Sequence, residues 1–196
     1  WITAQDLERS VAMVVELLLS DVKTGDLKPG GNELLYWADK LGVKESRFEN
    51  TRGWAPDISH PAMDVNLDAC IQCTRCVRAC REVQVNDVIG YAFRGLDSKS
   101  VFDMDDPMGA STCVACGECV QACPTGALSP RTRVGPQSLD RQVDSVCPSC
   151  GVGCQLTFHV ADGKIREVTG RDGPANRRRL CVKGRFGFDY VHHPHR

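Results

Sequence analysis

The sequence predicts an α+β fold in three parts: an N-terminal helical segment, a module built around two metal sites, and a small antiparallel β domain. Three observations carry that expectation. The 196 residues contain 12 cysteines, none before residue 70, and these fall into quartets at 70–80, 113–123 and 147–181. The cysteine-free N-terminal third repeats its apolar residues at helical spacing. Beyond residue 154, two alternating runs flank an Asp-Gly pair, the pattern of a hairpin.

Apolar residues make up 42% of the chain and charged residues 25%. That fits one ordinary soluble domain or a few small ones, and excludes a disordered or collagen-like chain. The most apolar run, Val11 to Leu19, is interrupted by Glu16 and falls short of the ~18 residues a membrane span needs. The N-terminus lacks the basic, apolar and small-residue regions of a signal peptide. A cytoplasmic protein with no membrane contact is expected. The net charge of −1 gives no general attraction for nucleic acid.

Residues 1–57 are expected to be a helical segment without a cofactor. Thr3 and Asp6 are spaced as a capping box, and Leu7, Val11, Val14, Val15 and Leu18 share a helical stripe that should face a core. Lys28-Pro-Gly-Gly31 breaks the pattern, and Leu34, Leu35, Ala38 and Leu41 mark a second short helix. The two should form a helical hairpin covering the next module. Asp57 to Asp68, rich in turn formers, reads as the linker into its first loop.

Residues 58–129 hold two quartets, Cys70-Ile-Gln-Cys73-Thr-Arg-Cys76-Val-Arg-Ala-Cys80 and Cys113-Val-Ala-Cys116-Gly-Glu-Cys119-Val-Gln-Ala-Cys123-Pro124. A disulfide framework scatters its cysteines so that each bridge staples a different loop, and it belongs to exported chains. A zinc knuckle needs only two ligands per CxxC. Four cysteines in each short run exceed both needs and match the C-x2-C-x2-C-x3-C run of two-cluster bacterial ferredoxins. Three cysteines two apart form a tight loop converging on three corners of one 4Fe–4S cubane, while the fourth, on the following helix, points to the other. Cys70, Cys73 and Cys76 are therefore expected to share cluster 1 with Cys123. Cys113, Cys116 and Cys119 are expected to share cluster 2 with Cys80. Each cluster would staple segments about 40 residues apart, in place of an apolar core. Arg81 stands where the second run has Pro124. Between the quartets, Val88–Phe93 and Ser100–Asp103 can pair as a hairpin.

Residues 130–145, with Pro130, Gly135 and Pro136 among polar residues, read as a linker. Residues 146–196 carry the third quartet, Cys147-Pro-Ser-Cys150-Gly-Val-Gly-Cys154 and then Cys181. Gln155–Val160 and Lys164–Thr169 alternate on either side of Asp162-Gly163, and this hairpin would bring Cys181 back to close the site. A zinc ribbon would need a second CxxC, of which only Cys181 is present. Zinc stays open here as the alternative to cluster 3.

The Cys147–Cys154 motif, the hairpin, Cys181-Val-Lys-Gly184 and Arg185-Phe-Gly187 together resemble the N-terminal iron–sulfur domain of molybdopterin oxidoreductases. The resemblance implies a third 4Fe–4S cluster on Cys147, Cys150, Cys154 and Cys181. It also implies a molybdenum or tungsten bis-pterin guanine dinucleotide in a catalytic part absent from these residues. By resemblance Lys183 lies between cluster and pterin as a relay; unaided, the sequence makes it only an exposed lysine. A ferredoxin pair leading directly into this domain is similar to the alpha subunits of soluble NAD-dependent formate dehydrogenases. Respiratory NADH dehydrogenase large subunits have one four-cysteine cluster in place of the pair, and iron-only hydrogenases continue into a different catalytic domain. The implied partners are the remainder of the alpha subunit and a flavin/NAD-binding beta subunit. Relatives place a cluster of one His and three Cys after a helix resembling Val14–Ser20. Residues 21–37 have neither His nor Cys, so that cluster is expected to be missing.

Residues 163–196 carry nine Lys and Arg against three acids, which suits a solvated basic face or one turned to an anionic partner. No nucleic-acid motif accompanies them. His192, His193 and His195 could chelate a metal, but read more simply as part of a turn. The chain opens at Trp1 and stops at Arg196 without room for a catalytic domain, so a truncated subunit is expected. Its expected function is an electron-transfer segment, carrying electrons from formate oxidation at the bis-pterin site towards the flavin/NAD subunit. The alternatives are a free-standing ferredoxin-like carrier, an accessory subunit of another molybdopterin oxidoreductase or hydrogenase, and a zinc-holding adaptor.

Overall fold

A computed structural model describes residues 2–23, 25, 27, 32–50, 52–133 and 139–195. Helix α1 (Ala4–Ser20) starts at the capping box: the Thr3 hydroxyl accepts from the Asp6 amide while the Asp6 carboxylate accepts from the Thr3 amide. Helix α2 (Glu33–Lys40) starts at Asn32, whose side-chain oxygen accepts from the Leu35 amide at 3.0 Å. Each cap satisfies an amide that the first helical turn leaves without a partner. Val15, Leu19, Val22, Leu27, Leu34 and Ala38 bury one another and rest on Ala69 and Ala127. The helical pair thus packs on the base of the cysteine module.

The expected α1 stripe is corrected. Leu7, Val11 and Val14 are 58%, 48% and 56% exposed, and burial falls instead on Val15, Glu16 and Leu19. Val11, Met13, Val14, Val15, Leu17, Leu18 and Leu19 nearly encircle the helix, so periodicity alone selects no face. The facing is set by α2 and by Arg47, which grips Glu16 through Nε at 2.7 Å and Nη2 at 2.9 Å. In α2, Leu34 and Ala38 are buried as expected while Leu35 is exposed.

In the cysteine module, β1 (Met63–Val65) pairs antiparallel with β4 (Leu128–Pro130), Met63 opposite Pro130, which closes the module end to end. Strands β2 (Ile89–Ala92) and β3 (Lys99–Phe102) form the hairpin expected between the quartets. Met63, Val65, Val77, Val88, Ile89, Phe102, Met108, Val120 and Leu128 make a continuous buried cluster. The module therefore has a core of its own, contrary to the expectation that metal replaces one. It went unseen because these side chains come singly from short elements and show no period.

Strands β5 (Arg141–Val146), β6 (Gln155–Ala161) and β7 (Lys164–Gly170) form the last sheet, in that order. Asp162 and Gly163, at φ 52° and 69°, make the tight turn that the Asp-Gly pair announced. Strand β5 corrects the linker, of which residues 141–145 are edge strand. It has no fully buried side chain to reveal it, and its ladder to β6 holds it in place. The Lys28–Gly31 break, Gly135 and Pro136 of the linker, Trp1 and Arg196 lie outside the described residues. No helix among the described residues is long and apolar enough to cross a membrane.

Candidate metal centres

The first two quartets sit on loops of the same local shape. Gln72 and Thr74 both take φ 57°, and their counterparts Ala115 and Gly117 take φ 57° and 71°. These left-handed residues fold each loop back so that the Gln72 amide donates to Cys70 Sγ and the Ala115 amide to Cys113 Sγ, both at 3.4 Å. Each loop then enters a helix, α3 (Arg75–Arg78) or α4 (Glu118–Ala122), with Cys76 or Cys119 in its first turn. Cys80 lies on the π-turn Ala79–Val83 that continues α3, and Cys123 directly follows α4.

The structure brings the fourth cysteine of each run to the other loop. Cys70, Cys73, Cys76 and Cys123 line one cavity, with Val65, Leu67, Ile71, Phe102 and Leu128 among its walls. Burial pushes the Cys70 thiol up to about 12, with Cys76, Cys123 and Cys73 adding their charge. Burial pushes Cys76 up to about 11, opposed by the Ser100 hydroxyl and reinforced by Cys123 and Cys73. Around the other loop, burial pushes Cys119 far up, with Cys76, Cys116, Cys113 and Cys80 adding to it. Cys113 is likewise raised by burial, then by Cys116, Cys80 and Asp103. Buried thiols this close need a cationic core before they can all ionise.

Polar groups that the sequence did not single out approach these sulfurs. Ser100 Oγ lies 3.8 Å from Cys76 Sγ, Thr125 Oγ1 lies 3.8 Å from Cys123 Sγ, and Asn86 Nδ2 lies 4.0 Å from Cys116 Sγ. Hydrogen bonds to sulfur are one of the levers on cluster potential. Thr125, two residues past Cys123, was within reach of inspection; Ser100 and Asn86 carry no signal in the sequence.

The third quartet is built differently. Cys147 ends the β5 arm buried, its amide donating to the Cys154 carbonyl at 2.8 Å. Gly153, at φ 77°, makes the bend before Cys154. Cys181 caps helix α5 (Val182–Phe186), on which Gly184 lies beside the Cys147 sulfur. Burial raises the Cys154 thiol, as do the charges of Cys147, Cys150 and Cys181. Cys150, Cys181 and Lys183 face solvent. Two thiols of the third quartet and the nearby Lys183 are thus exposed.

The basic stretch divides. Arg177, Arg178 and Arg179 are exposed around the buried Asn176, whose amide donates to the Gln155, Arg171 and Arg179 carbonyls. Arg185 is instead 3% exposed. His192 accepts from the Ile165 amide at 3.0 Å, as a turn residue does.

The donor sets suit iron–sulfur clusters. All are thiol quartets, and the first lines a small apolar-walled cavity.

Known proteins agree. Residues 66–127 match the 4Fe-4S dicluster domain and residues 140–193 the molybdopterin oxidoreductase Fe4S4 domain. The chain is 37% identical over 84% of its length to an NADH-quinone oxidoreductase subunit of Rhizobium meliloti, covering 20% of that protein. It is 35% identical over 69% of its length to the NADPH-Fe(3+) oxidoreductase subunit alpha of Geobacter sulfurreducens, covering 16% of it. It is 27% identical over 85% of its length to a formate dehydrogenase-like protein of Staphylococcus haemolyticus, covering 21% of that chain. The chain thus spans about a fifth of the length of these relatives. A crystal structure of an NAD+-reducing [NiFe]-hydrogenase in its H2-reduced state superposes with a TM-score of 0.61 at 23% identity, over 68% of this chain and 60% of that one. That likeness is one of fold. The three thiol quartets thus lie inside a 4Fe-4S dicluster domain match and a match to the Fe4S4 domain of molybdopterin oxidoreductases.

Proposed function

We propose that the chain is the electron wire of a formate dehydrogenase alpha subunit, in three units. Residues 1–57 form a cofactor-free helical cover, and residues 58–129 hold two clusters. The third unit begins at 140, where β5 starts to join the last sheet, and holds one more. Cys70, Cys73, Cys76 and Cys123 ligate cluster 1; Cys113, Cys116, Cys119 and Cys80 ligate cluster 2; Cys147, Cys150, Cys154 and Cys181 ligate cluster 3. The clusters supply one-electron carriage, and the protein sets their spacing and surroundings. Lys183 is the relay towards a bis-pterin molybdenum or tungsten site in the rest of the subunit, and a flavin/NAD subunit is the acceptor.

The observation that carries this reading is the open face of the third quartet. Two of its thiols and Lys183 stand in solvent, whereas the second quartet has no exposed thiol. The first quartet exposes only Cys73, so the third is the most open of the three and suits contact with further protein. The formate dehydrogenase-like relative supports the substrate. The 37% identity to the Rhizobium meliloti NADH-quinone oxidoreductase protein favours a second reading, in which the same wire serves an NADH-linked complex instead. The experiment is anaerobic reduction of the complete enzyme, flavin/NAD subunit included, by formate or by NADH, followed by cluster spectra. Reduction by formate is expected. Reduction by NADH with none by formate would install the second reading.

A further inference from the structure

We propose that Arg185 is a positioning residue that joins clusters 2 and 3, fixing their separation and favouring an added electron on cluster 2. This rests on the cluster reading above. Its backbone amide donates to the carbonyl of Cys181, a third-quartet ligand, at 3.0 Å. Its guanidinium crosses to α4, the helix that carries Cys119, and donates to Gln121 Oε1 at 2.7 Å. Residue 185 thus sits one helical turn past a third-quartet ligand, and its side chain reaches the helix of the second loop.

Arg185 is an expensive residue to keep if packing were its only purpose. Its side chain and that of Glu118 are 3% and 8% exposed, and their nearest approach is 3.9 Å. Arg185 Nε and Glu118 Oε2 have no hydrogen-bond partner. An incompletely bonded buried ion pair is often no better than apolar side chains of the same volume. The charges around the guanidinium are Glu118, Glu167 and the thiols Cys119 and Cys116. Four thiolates on a cubane are net negative, and reduction adds one more negative charge, so a buried cation beside them favours the reduced form.

The two cysteine loops show that the junction is built for this contact. Thr74 and Gly117 hold the same place after the second cysteine of their loops, at φ 57° and 71°. The first loop makes its left-handed turn with a threonine, so the turn itself does not demand glycine. A Cβ on Gly117 would lie 2.3 Å from Arg185 Cδ and 2.8 Å from the Phe186 ring. Glycine at 117 is what lets the Arg185 stem lie against the second loop.

The test is an EPR-monitored redox titration of the anaerobically loaded full chain, with cluster 2 assigned by its loss in Cys116→Ala. Arg185→Gln should shift its reduction equilibrium at least tenfold towards the oxidised form, 59 mV for one electron, with cluster 1 unmoved. Arg185→Lys should restore most of the shift. Glu118→Gln, which keeps shape and removes the opposing charge, should shift cluster 2 the other way; it carries the test should Arg185→Gln not fold. Unshifted potentials in the Gln variants, with all clusters loaded, would overturn the role of Arg185 alone. A loaded wild-type chain without cluster 2 or 3 would overturn the cluster reading, and this inference with it.

Discussion

The side-chain amide of Asn32 donates to the Thr125 carbonyl at 3.1 Å, both buried, across 93 residues of sequence. Next to it the Glu33 amide donates to the Pro124 carbonyl at 2.9 Å. The start of α2 is therefore seated on the turn that follows Cys123. Asn32→Ala removes the helix cap and strands the Thr125 carbonyl, which should cost about 2 kcal/mol. It should also broaden the cluster 1 EPR signal and leave cluster 2 sharp. Denaturant unfolding and EPR on the loaded chain check the two parts separately.

Iron and acid-labile sulfide should each approach twelve per chain after anaerobic loading, four for every thiol quartet. A result near eight would remove cluster 3, and zinc bound at Cys147–Cys181 would restore the ribbon. Chelation should loosen the loops at 70–76 and 113–119 first. The apolar cluster around Met63 and Met108 should slow the collapse of the strands, a difference that hydrogen exchange resolves.

Cys123→Ala should damage the cluster of Cys70, Cys73 and Cys76, giving a three-iron species or its loss. The signal from Cys113, Cys116 and Cys119 should remain recognisable. Loss of that second signal alone would mean that each run ligates its own cluster, against the cavity that Cys123 shares with the first loop.

Arg47 hydrogen bonds, from guanidinium and backbone, hold the Glu16 carboxyl down to about 2. A carboxyl depressed in the fold stabilises it above the unfolded value of about 4.3, and that stabilisation is lost as pH falls from there towards 2. Arg47→Leu removes the guanidinium and leaves the backbone donor, so the midpoint should rise towards the ordinary glutamate range without reaching it. Carbon-13 NMR of the Glu16 carboxyl at pH 4 should show it ionised in the wild type and partly protonated in the variant.

Lys183→Ala in the complete subunit should lower the cluster 3 potential and slow formate-driven reduction, with pterin content and the other two clusters intact. In the 196-residue chain the same change should do little, since Lys183 there faces water that screens its charge. An unaltered complete enzyme would take the lysine out of the pathway.

Spacing made the thiols legible. Three cysteines two apart dictate a loop, and the fourth, four residues on, can only be served by another loop, so the gathering of Cys123 with Cys70 needed no structure to foresee. The turn at Asp162-Gly163 was equally readable, because that pair tolerates positive φ. The buried face of α1 was not, since apolar residues lie almost all round it and Arg47 settles the choice from outside the helix. Strand β5 was hidden for the opposite reason: its ladder hydrogen bonds leave no pattern in side chains. Arg185 looked like one more member of a basic face, and only its burial against Gly117 separates it from Arg177 to Arg179.

The matching φ angles at Gln72 and Ala115, and at Thr74 and Gly117, give the cysteine module two interchangeable halves. A conductor whose halves can be exchanged is the same read from either end, and so has no preferred direction. Polarity enters only where the halves have diverged. Thr74 against Gly117 is one such place, for the glycine leaves room for the Arg185 stem. Arg81 against Pro124 is another, since the proline carbonyl receives α2. The second run has thereby acquired two companions, the helical cover at Pro124 and the β domain at Gly117. The sense of the wire is written in those few asymmetric positions, not in the cysteines.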